Sequence, residues 1–162
     1  MPERRRFIDA NIFINWLKAT PATVVKDETA AISGYILHKI EEGEKALTTV
    51  TVKDEVAIWL SRYRIEALNR FLELLSGYST LDIVTPTNED QVKAGRLMGR
   101  YPLGYTDLLS IMTMNRHGIN EIYSSDTGFD AVPKIKRIFT ELREEEEYRE
   151  FFKKLKEISI KG

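Results

Sequence analysis

The chain has 162 residues, the size of one ordinary domain, and 43% of them are hydrophobic against 30% charged. Its 24 Lys and Arg balance 25 Asp and Glu, so the formal charge of -1 argues against binding nucleic acid by bulk positive charge, while a local basic groove stays open. The absence of cysteine excludes disulfides, thiolate zinc sites and cysteine nucleophiles, and leaves oxygen ligands for hard cations.

The first half of the chain predicts two units of strand followed by helix. A short buried strand over residues 6–9 leads into an apolar turn and helix at 10–16. Apolar side chains at helical spacing predict a further helix over 27–42. Residues 46–52 are rich in β-branched side chains and predict a second strand, and a long amphipathic helix over 54–76 follows it.

The second half continues this alternation. Residues 81–84 predict a third strand, and Thr87 with Asp90 three residues later forms a capping box that opens the next helix. The helix over 107–117 is apolar nearly all round, so we expect it to be central and buried. The remaining elements are a strand over 121–125, a short strand over 135–139 and a charged helix over 141–157.

Strands that alternate with helices predict an α/β fold with a mainly parallel central sheet covered on both faces. We expect one domain over residues 1–140, followed by a charged C-terminal helix within 141–162. That helix either packs on the domain or lies at a dimer interface. In open sheets of this kind, ligands bind beyond the carboxyl ends of the strands, so side chains at those ends are the candidates for a site.

Four carboxylates lie at strand ends or helix N-termini. Asp9 follows the first strand, Glu55 lies in an early helical turn after the second strand, Asp107 begins the apolar helix, and Asp126 follows the fourth strand. Taken singly, each fits an ordinary role as a helix cap, a dipole partner or a turn residue. Taken together at one edge, they could not all stay ionised without a cation, and oxygen-only ligands favour Mg²⁺ or Mn²⁺.

Four stretches of sequence occur in a characteristic order. They begin with Phe7-Ile8-Asp9-Ala10-Asn11-Ile12-Phe13 and continue with residues 49–56, 104–109 and 122–130. In this order and spacing, over about residues 6 to 139, the chain resembles the PIN-domain family of nucleases, and its compact size resembles that of VapC-like toxins. The resemblance implies a three-layer α/β/α fold with four to five strands.

The resemblance also implies the roles of individual residues. The family's acidic positions map onto Asp9, Glu55, Asp107 and Asp126, which would be both catalytic and metal-binding. Asp130 matches a further acidic position that varies in the family, while Asn11 and Ser124 match polar positions that orient the first and fourth carboxylates. Asp54 stands beside Glu55, and we favour Glu55 because it lies beside the core-facing stripe of its helix.

The implied activity is endonucleolytic hydrolysis of RNA with Mg²⁺ or Mn²⁺, leaving a 5′-phosphate and a 3′-hydroxyl. The implied partners are an antitoxin protein and a second copy of the chain. Candidates for phosphate contacts are Arg62, Arg96 and Arg100, although arginines on helix faces are mostly solvated. No apolar run approaches the roughly 20 residues of a membrane span, and the N-terminus does not resemble a signal peptide, so we expect a cytoplasmic protein.

Two rival interpretations stay open. One is a PIN-domain RNA-processing nuclease that has no antitoxin. The other is a non-catalytic PIN-like module that binds RNA or protein, which should have lost one or more of the four carboxylates. Other phosphate chemistries fit less well, because the sequence has no phosphate-binding loop ending in Lys-Ser or Lys-Thr, and Asn11 stands where an aspartyl phosphatase needs a second acid.

Overall fold

The computed structural model describes residues 4–161, without the side chains of 160 and 161. The first three residues and the last one, which belong to the predicted domain and tail, lie outside the described part. A single five-stranded sheet forms the centre, with all strands parallel in the order β3-β2-β1-β4-β5. The predicted α/β fold is therefore confirmed. The strands are β1 (Arg6–Ile8), β2 (Ala46–Thr49), β3 (Leu81–Val84), β4 (Glu121–Tyr123) and β5 (Lys136–Ile138).

The helices form two groups on the sheet. Because parallel crossovers are right-handed, the connections that run from β1 to β3 and the connection that returns to β4 lie on opposite faces. Contacts agree, since α1 packs on α3 and α4, α4 packs on α5, and α6 packs on α7. This is the expected three-layer arrangement. The helices are α1 (Ala10–Leu17), α2 (Pro21–Val24), α3 (Glu28–Glu41), α4 (Val50–Tyr63), α5 (Leu68–Gly77), α6 (Asn88–Leu97), α7 (Tyr105–Arg116) and α8 (Glu146–Lys161).

The sheet reverses its order beside β1. The chain moves from β1 to β2 and β3 on one side and then returns to β4 and β5 on the other. In register, Ile8 of β1 pairs with Tyr123 of β4, so the residues that follow these two strands emerge side by side. Such a reversal opens a crevice at the carboxyl ends of the strands, and this is where Asp9 and Ser124 lie.

The long helix predicted over 54–76 is wrong in its extent. α4 begins earlier, because the Thr49 hydroxyl accepts a hydrogen bond from the Val52 N–H (3.0 Å) and so ends the predicted strand at β2. α4 stops at Tyr63, because Arg64 adopts an extended φ of -149° with ψ of 60°. A short 3₁₀ turn over Ile65–Ala67 then leads into α5. Tyr63, the last residue of α4, is 66% exposed.

Other boundaries shift by small amounts. The strand predicted over 121–125 ends at Tyr123, and the helix predicted from Asp107 begins two residues earlier at Tyr105. The four-residue helix α2 was not predicted, because a single turn carries too few apolar positions to show a period. The tail over 141–157 begins with a 3₁₀ turn over Thr140–Glu144 before α8 starts.

α8 lies on the chain's own domain. It contacts α2 and α3, and the Phe151 ring packs against Trp16, Tyr35 and His38, with ring centroids 5.3 to 6.4 Å apart. Tyr148 is buried one turn earlier and packs edge-on against Tyr35. This is the first of the two placements expected for the tail. No helix within residues 4–161 is both long and apolar enough to span a membrane.

Candidate functional site

Asp9 is fixed at the carboxyl end of β1 by hydrogen bonds from its backbone and its side chain. Its N–H donates to the Tyr123 carbonyl (3.1 Å), which continues the pairing of β1 with β4 for one residue. As the N-cap of α1, its carboxylate accepts from the Ala10 N–H (2.9 Å). It also accepts from the Ser124 hydroxyl (2.7 Å) and the Asn11 amide (3.0 Å). The side chain is buried, so its orientation is held from several sides.

The Ser124 hydroxyl joins the ends of β1 and β4. It is completely buried, donates to Asp9, and accepts from the Asn11 amide (3.0 Å) and the Asp126 N–H (3.0 Å). Asn11 makes a second connection, since its amide oxygen accepts from the Ser125 N–H (3.2 Å). The structure thus brings Asn11 and Ser124, both predicted as orienting residues, into contact with Asp9, and places Asp126 next in line.

Asp126 begins the 3₁₀ turn over Thr127–Ala131. Its carboxylate accepts from the Gly128 N–H (2.8 Å) and leaves its second oxygen without a hydrogen bond in the described residues. Gly128 lets this turn pack closely against the loop that precedes α7. A Cβ at Gly128 would lie 2.6 Å from the Pro102 carbonyl oxygen and 2.9 Å from Leu103. The absence of a side chain therefore lets the Asp126 turn approach the start of α7.

Asp107 lies in the first turn of α7. Its carboxylate accepts from the Gly104 N–H (3.3 Å), which is half of a capping box. The rest of α7 anchors it, because Leu108, Leu109 and Ile111 are buried in the core. Asp107 therefore has the helix-capping role considered from the sequence. That role uses only one of its two carboxylate oxygens.

Nearby carboxylate charges contribute to raised pKa values at two of the four residues, Asp9 and Asp107. Burial raises the pKa of Asp9 to about 7, the charges of Asp107 and Glu55 add to the rise, and the hydrogen bonds from Ser124 and Ala10 oppose it. Burial likewise raises the pKa of Asp107 to about 6, with contributions from Asp126 and Glu55. Asp107 and Glu55 therefore lie within electrostatic reach of Asp9, and Asp126 and Glu55 lie within reach of Asp107.

The donor chemistry fits a hard divalent cation. All four side chains offer carboxylate oxygens, and no ion pair between described residues involves any of them. Within residues 4–161, no three Asp, Glu or His side chains are close enough to form a ready ligand cluster. Like charges repel, so such side chains converge fully only around a shared positive charge.

Asp130 differs from the four in that it forms an ion pair. Its two oxygens accept from the Arg137 guanidinium at 3.0 and 3.2 Å, a bidentate pair. Arg137 also donates to the Ser124 carbonyl (3.3 Å), so it supports the end of β4. Sequence reasoning missed this role of Arg137, because nothing in the local sequence marks the contact.

The remaining candidates differ in their placement. Asp54 is exposed, whereas its neighbour Glu55 is half-buried and acts on Asp9 and Asp107. Arg62 lies on the same helix as Glu55 and lines a groove with it. Arg96 and Arg100 are exposed on and just after α6, in the opposite helical layer.

The groove beside Glu55 has a volume of about 490 Å³. Its walls come from α1 and α4 and carry two aromatic rings that sequence reasoning assigned to the core. The spacing of these residues along α4 is the signal that could have found it, since they recur every three or four positions. The lining residues are Ile14, Glu55, Ile58, Trp59, Arg62 and Tyr63.

A family model described as PIN domain matches residues 6–135, which is most of the chain. No curated protein matches it. Three solved structures share the fold at low identity. A toxin-antitoxin complex from Klebsiella pneumoniae is 18% identical, with a TM-score of 0.58, over 80% of this chain and 94% of that one. VapC20 from Mycobacterium tuberculosis, a toxin that cleaves the sarcin-ricin loop, is 14% identical, with a TM-score of 0.64, over 82% and 98%. VapBC2 from Rickettsia felis, bound to a promoter DNA fragment, is 13% identical, with a TM-score of 0.55, over 83% and 97%.

Proposed function

Because the chain belongs to the PIN domain family, we propose that it is a metal-dependent endoribonuclease of the VapC toxin type. Family and fold together support a nuclease. The observation that carries the proposal is the buried Asp9 carboxylate at the reversal of strand order, where the Ser124 hydroxyl connects it to Asp126. The charges of Glu55 and Asp107 also act on Asp9, so the four carboxylates belong to one region of the sheet edge. A buried acidic group of this kind is the recognised setting for cation-assisted chemistry on phosphodiesters.

The four carboxylates would hold Mg²⁺ or Mn²⁺. When bound, such an ion lowers the pKa of water and stabilises the charge on the leaving oxygen. The protein's own part is to aim the ligands. Ser124 and Asn11 fix the Asp9 carboxylate, and the Gly104 N–H fixes one oxygen of Asp107. Hydrogen bonds of this kind to ligating carboxylates typically change metal affinity or activity by roughly 10- to 100-fold.

We expect hydrolysis that leaves a 5′-phosphate and a 3′-hydroxyl. Attack by the 2′-hydroxyl of the RNA itself would need a side-chain base near the scissile bond, and the histidines are placed elsewhere. His38 packs on the Phe151 ring of α8. His117 lies at the C-terminal end of α7, whereas Asp107 lies in the first turn of that helix. Burial lowers the pKa of His117.

The toxin assignment is supported by the solved structures that share this fold. One is a toxin-antitoxin complex, one is a toxin that cleaves the sarcin-ricin loop, and one contains VapBC2. We propose by extension a cytoplasmic toxin that acts as a homodimer and is held inactive by a cognate antitoxin. A PIN-domain RNA-processing nuclease without an antitoxin is the alternative. A non-catalytic module is disfavoured, because all four carboxylates are present.

Cleavage of labelled RNA by the purified protein tests the proposal. We expect cleavage with Mg²⁺ or Mn²⁺ and none with excess chelator. Asp9→Asn, Glu55→Gln and Asp126→Asn should lose at least about 100-fold in rate, whereas the neighbouring exposed Asp54→Asn should cleave like wild type. If Asp9→Asn retains full activity, or if Asp54→Asn is the inactive variant of the pair, the proposed site is wrong.

Thermal unfolding gives a readout that does not depend on activity. A cation that binds only the folded state raises the midpoint of unfolding. We expect Mn²⁺ to raise the midpoint of wild type and of Asp54→Asn, but not that of Asp9→Asn. Co-purification with the product of the adjacent gene, together with suppression of cleavage by it, separates the toxin from an RNA-processing nuclease.

A further inference from the structure

One face of α4 continues outward from the carboxylate site. Glu55, Ile58, Trp59, Arg62 and Tyr63 follow one another at the i, i+3, i+4, i+7 and i+8 spacing that places side chains on the same side of a helix. With Ile14 of α1 they line the groove of about 490 Å³. We call this group of six residues the α4 face. Glu55, at one end of this face, is a proposed metal ligand. A molecule bound to the α4 face would therefore lie next to the proposed site of cleavage.

The α4 face presents aromatic and apolar surface to solvent. Tyr63 is 66% exposed and Ile58 is 53% exposed. Trp59 is half-buried and packs against the core. The centroid of its ring lies 5.2 Å from the centroid of the Tyr63 ring. Two adjacent rings of this kind form a platform on which flat ligands stack. An exposed apolar patch beside a candidate active site indicates a binding surface.

Arg62 adds a cation to this face. It is exposed and takes part in no ion pair or hydrogen bond between residues that the structure describes. Its neighbour Arg64 contrasts with it, since Arg64 pairs with Glu66 (3.5 Å) and donates to the Lys18 carbonyl (3.0 Å). The Arg62 guanidinium is therefore available for a ligand, and phosphate is the ligand group that its planar donor geometry suits best.

We propose that the α4 face binds an unpaired stretch of the RNA substrate beside the scissile phosphate. Bases stack on Trp59 and Tyr63, and Arg62 contacts a backbone phosphate. An unpaired strand is required, because bases inside a duplex have no free face to stack on a side chain. Seven residues of helix separate Glu55 from Arg62, about 10 Å, so a phosphate on Arg62 is near the cleavage point but distinct from it. This inference rests on the proposed nuclease function and assigns its substrate class.

Binding can be measured apart from cleavage by working in excess chelator. The probe is a fluorescently labelled single-stranded RNA oligonucleotide, and the readout is fluorescence anisotropy. Tyr63→Leu should weaken binding roughly 5- to 100-fold, the range found when one stacked base is lost. Tyr63→Phe keeps the ring and should bind like wild type, which separates stacking from loss of the hydroxyl.

Arg62 is tested by the salt dependence of the same measurement. Arg62→Gln should weaken binding and reduce the slope of log affinity against log salt by about one. Arg149→Gln removes an exposed arginine from α8, which packs on α2 and α3, so it should leave both quantities unchanged. Equal effects of the two substitutions would show that the protein binds RNA by charge in general, and would overturn the assignment to the α4 face.

Tryptophan fluorescence reports stacking directly. The chain has two tryptophans, so Trp16→Phe leaves Trp59 as the only one. A base stacked on Trp59 should quench its emission, and the quenching should saturate at the affinity that anisotropy gives. A duplex of the same sequence should quench much less. Binding without quenching would overturn the proposed placement.

The outcomes separate this inference from the proposed function. If wild type cleaves RNA but Tyr63→Leu and Arg62→Gln bind it normally, the α4 face is not the RNA site and the nuclease proposal stands. If the substitutions weaken binding but wild type cleaves nothing with any metal, the face is right and the nuclease proposal fails. If Tyr63→Leu alters the sedimentation of the protein and leaves RNA affinity unchanged, the face is a protein interface and the inference is wrong.

Discussion

Asp9 is the residue at which opposing effects on ionisation are most evident. Burial and the nearby charges of Asp107 and Glu55 favour its neutral form, while the Ser124 hydroxyl and the Ala10 N–H favour its carboxylate. The first group prevails, and its pKa rises to about 7. A nearby cation would stabilise the ionised form of this carboxylate. If Asp9 is the metal ligand proposed above, the hydrogen bonds that orient it serve metal binding as well as the fold.

Ser124→Ala is the sharpest test of this arrangement. The change removes the donor to Asp9 and the acceptor for the Asp126 N–H, both in a buried region. We expect the free energy of unfolding to fall by about 1 to 3 kcal/mol and RNA cleavage to fall roughly 10- to 100-fold. Urea unfolding and initial cleavage rates provide the two measurements.

Ser125→Ala is the matched control. Ser125 is the next residue, and its hydroxyl accepts only a long contact of 3.4 Å from Asn15. Its replacement should change the free energy of unfolding by less than about 0.5 kcal/mol. If the two variants behave alike, Ser124 does not hold the site together.

At the scale of elements, α6 is tied to α7 through a buried carboxylate. Although burial opposes its ionisation, the Thr87 N–H and Arg116 hold the pKa of Asp90 below its usual value. A depressed folded-state pKa stabilises the protein above the unfolded value of 3.8, and this contribution is lost as the pH falls through the folded value. Asp90→Asn should therefore cost about 1 to 2 kcal/mol at pH 7, and the cost should shrink below pH 3.8.

Chemical unfolding at a series of pH values checks this dependence. Glu89→Gln is the control, because Glu89 is exposed and pairs only with Lys93 one turn along (3.1 Å). Surface pairs of this kind contribute little to stability, so its free energy of unfolding should follow that of wild type at every pH. A cost of Asp90→Asn that stays constant from pH 7 to pH 3 would contradict the role of the charge.

The 3₁₀ turn at Asp126 depends on Gly128. Alanine there would bring its Cβ within 2.6 Å of the Pro102 carbonyl, which is backbone and cannot rotate away. We expect Gly128→Ala to destabilise the protein by about 1 to 3 kcal/mol. Because the strain falls between the Asp126 turn and α7, cleavage should fall further than stability alone explains. Urea unfolding and cleavage rates at a temperature where the variant is fully folded separate the two effects.

Gly95→Ala is the matched control for that change. Gly95 lies within α6, and a Cβ there meets no atom within 4 Å. Alanine is the better helix former, so this variant should gain up to about 1 kcal/mol and cleave like wild type. If Gly128→Ala cleaves equally well, close contact between the turn and the loop before α7 is not needed.

Local signals decided which elements sequence reasoning predicted well. The bounds of β3 and the Thr87–Asp90 capping box are as predicted. Both are marked by residues close by in the sequence, since Pro86 follows the strand and the cap residues follow that proline. The break at Arg64 was missed, since apolar residues continue at helical spacing on both sides of it.

At the scale of the whole molecule, the order of the strands in the sheet brings the residues of the candidate site together. Asp9 and Ser124 are 115 residues apart and meet only because β4 pairs with β1 after the chain has crossed the sheet. Residue patterns placed each carboxylate at an element's end but left open whether they converge. Strand alternation predicted the fold class, and the family resemblance implied which carboxylates share a site, but neither gave the pairing of β4 with β1. Contacts such as that of Arg137 with the Ser124 carbonyl follow only from the folded chain.

α8 completes the helical layer, and this makes a prediction about cooperativity. Its aromatic side chains pack on α1 and α3, so the helix should unfold with the domain in one transition.

Phe151→Ala removes a half-buried ring from Trp16, Tyr35 and His38 and should lower the free energy of unfolding by about 2 kcal/mol, less than for a fully buried ring. Lys153→Ala, exposed on the same helix, should change the free energy of unfolding by less than about 0.5 kcal/mol. Trp16 emission and far-ultraviolet circular dichroism should report one midpoint for each variant. Two separate midpoints, or equal stability of the two variants, would mean that α8 does not fold as part of the domain and that its aromatic face binds another partner.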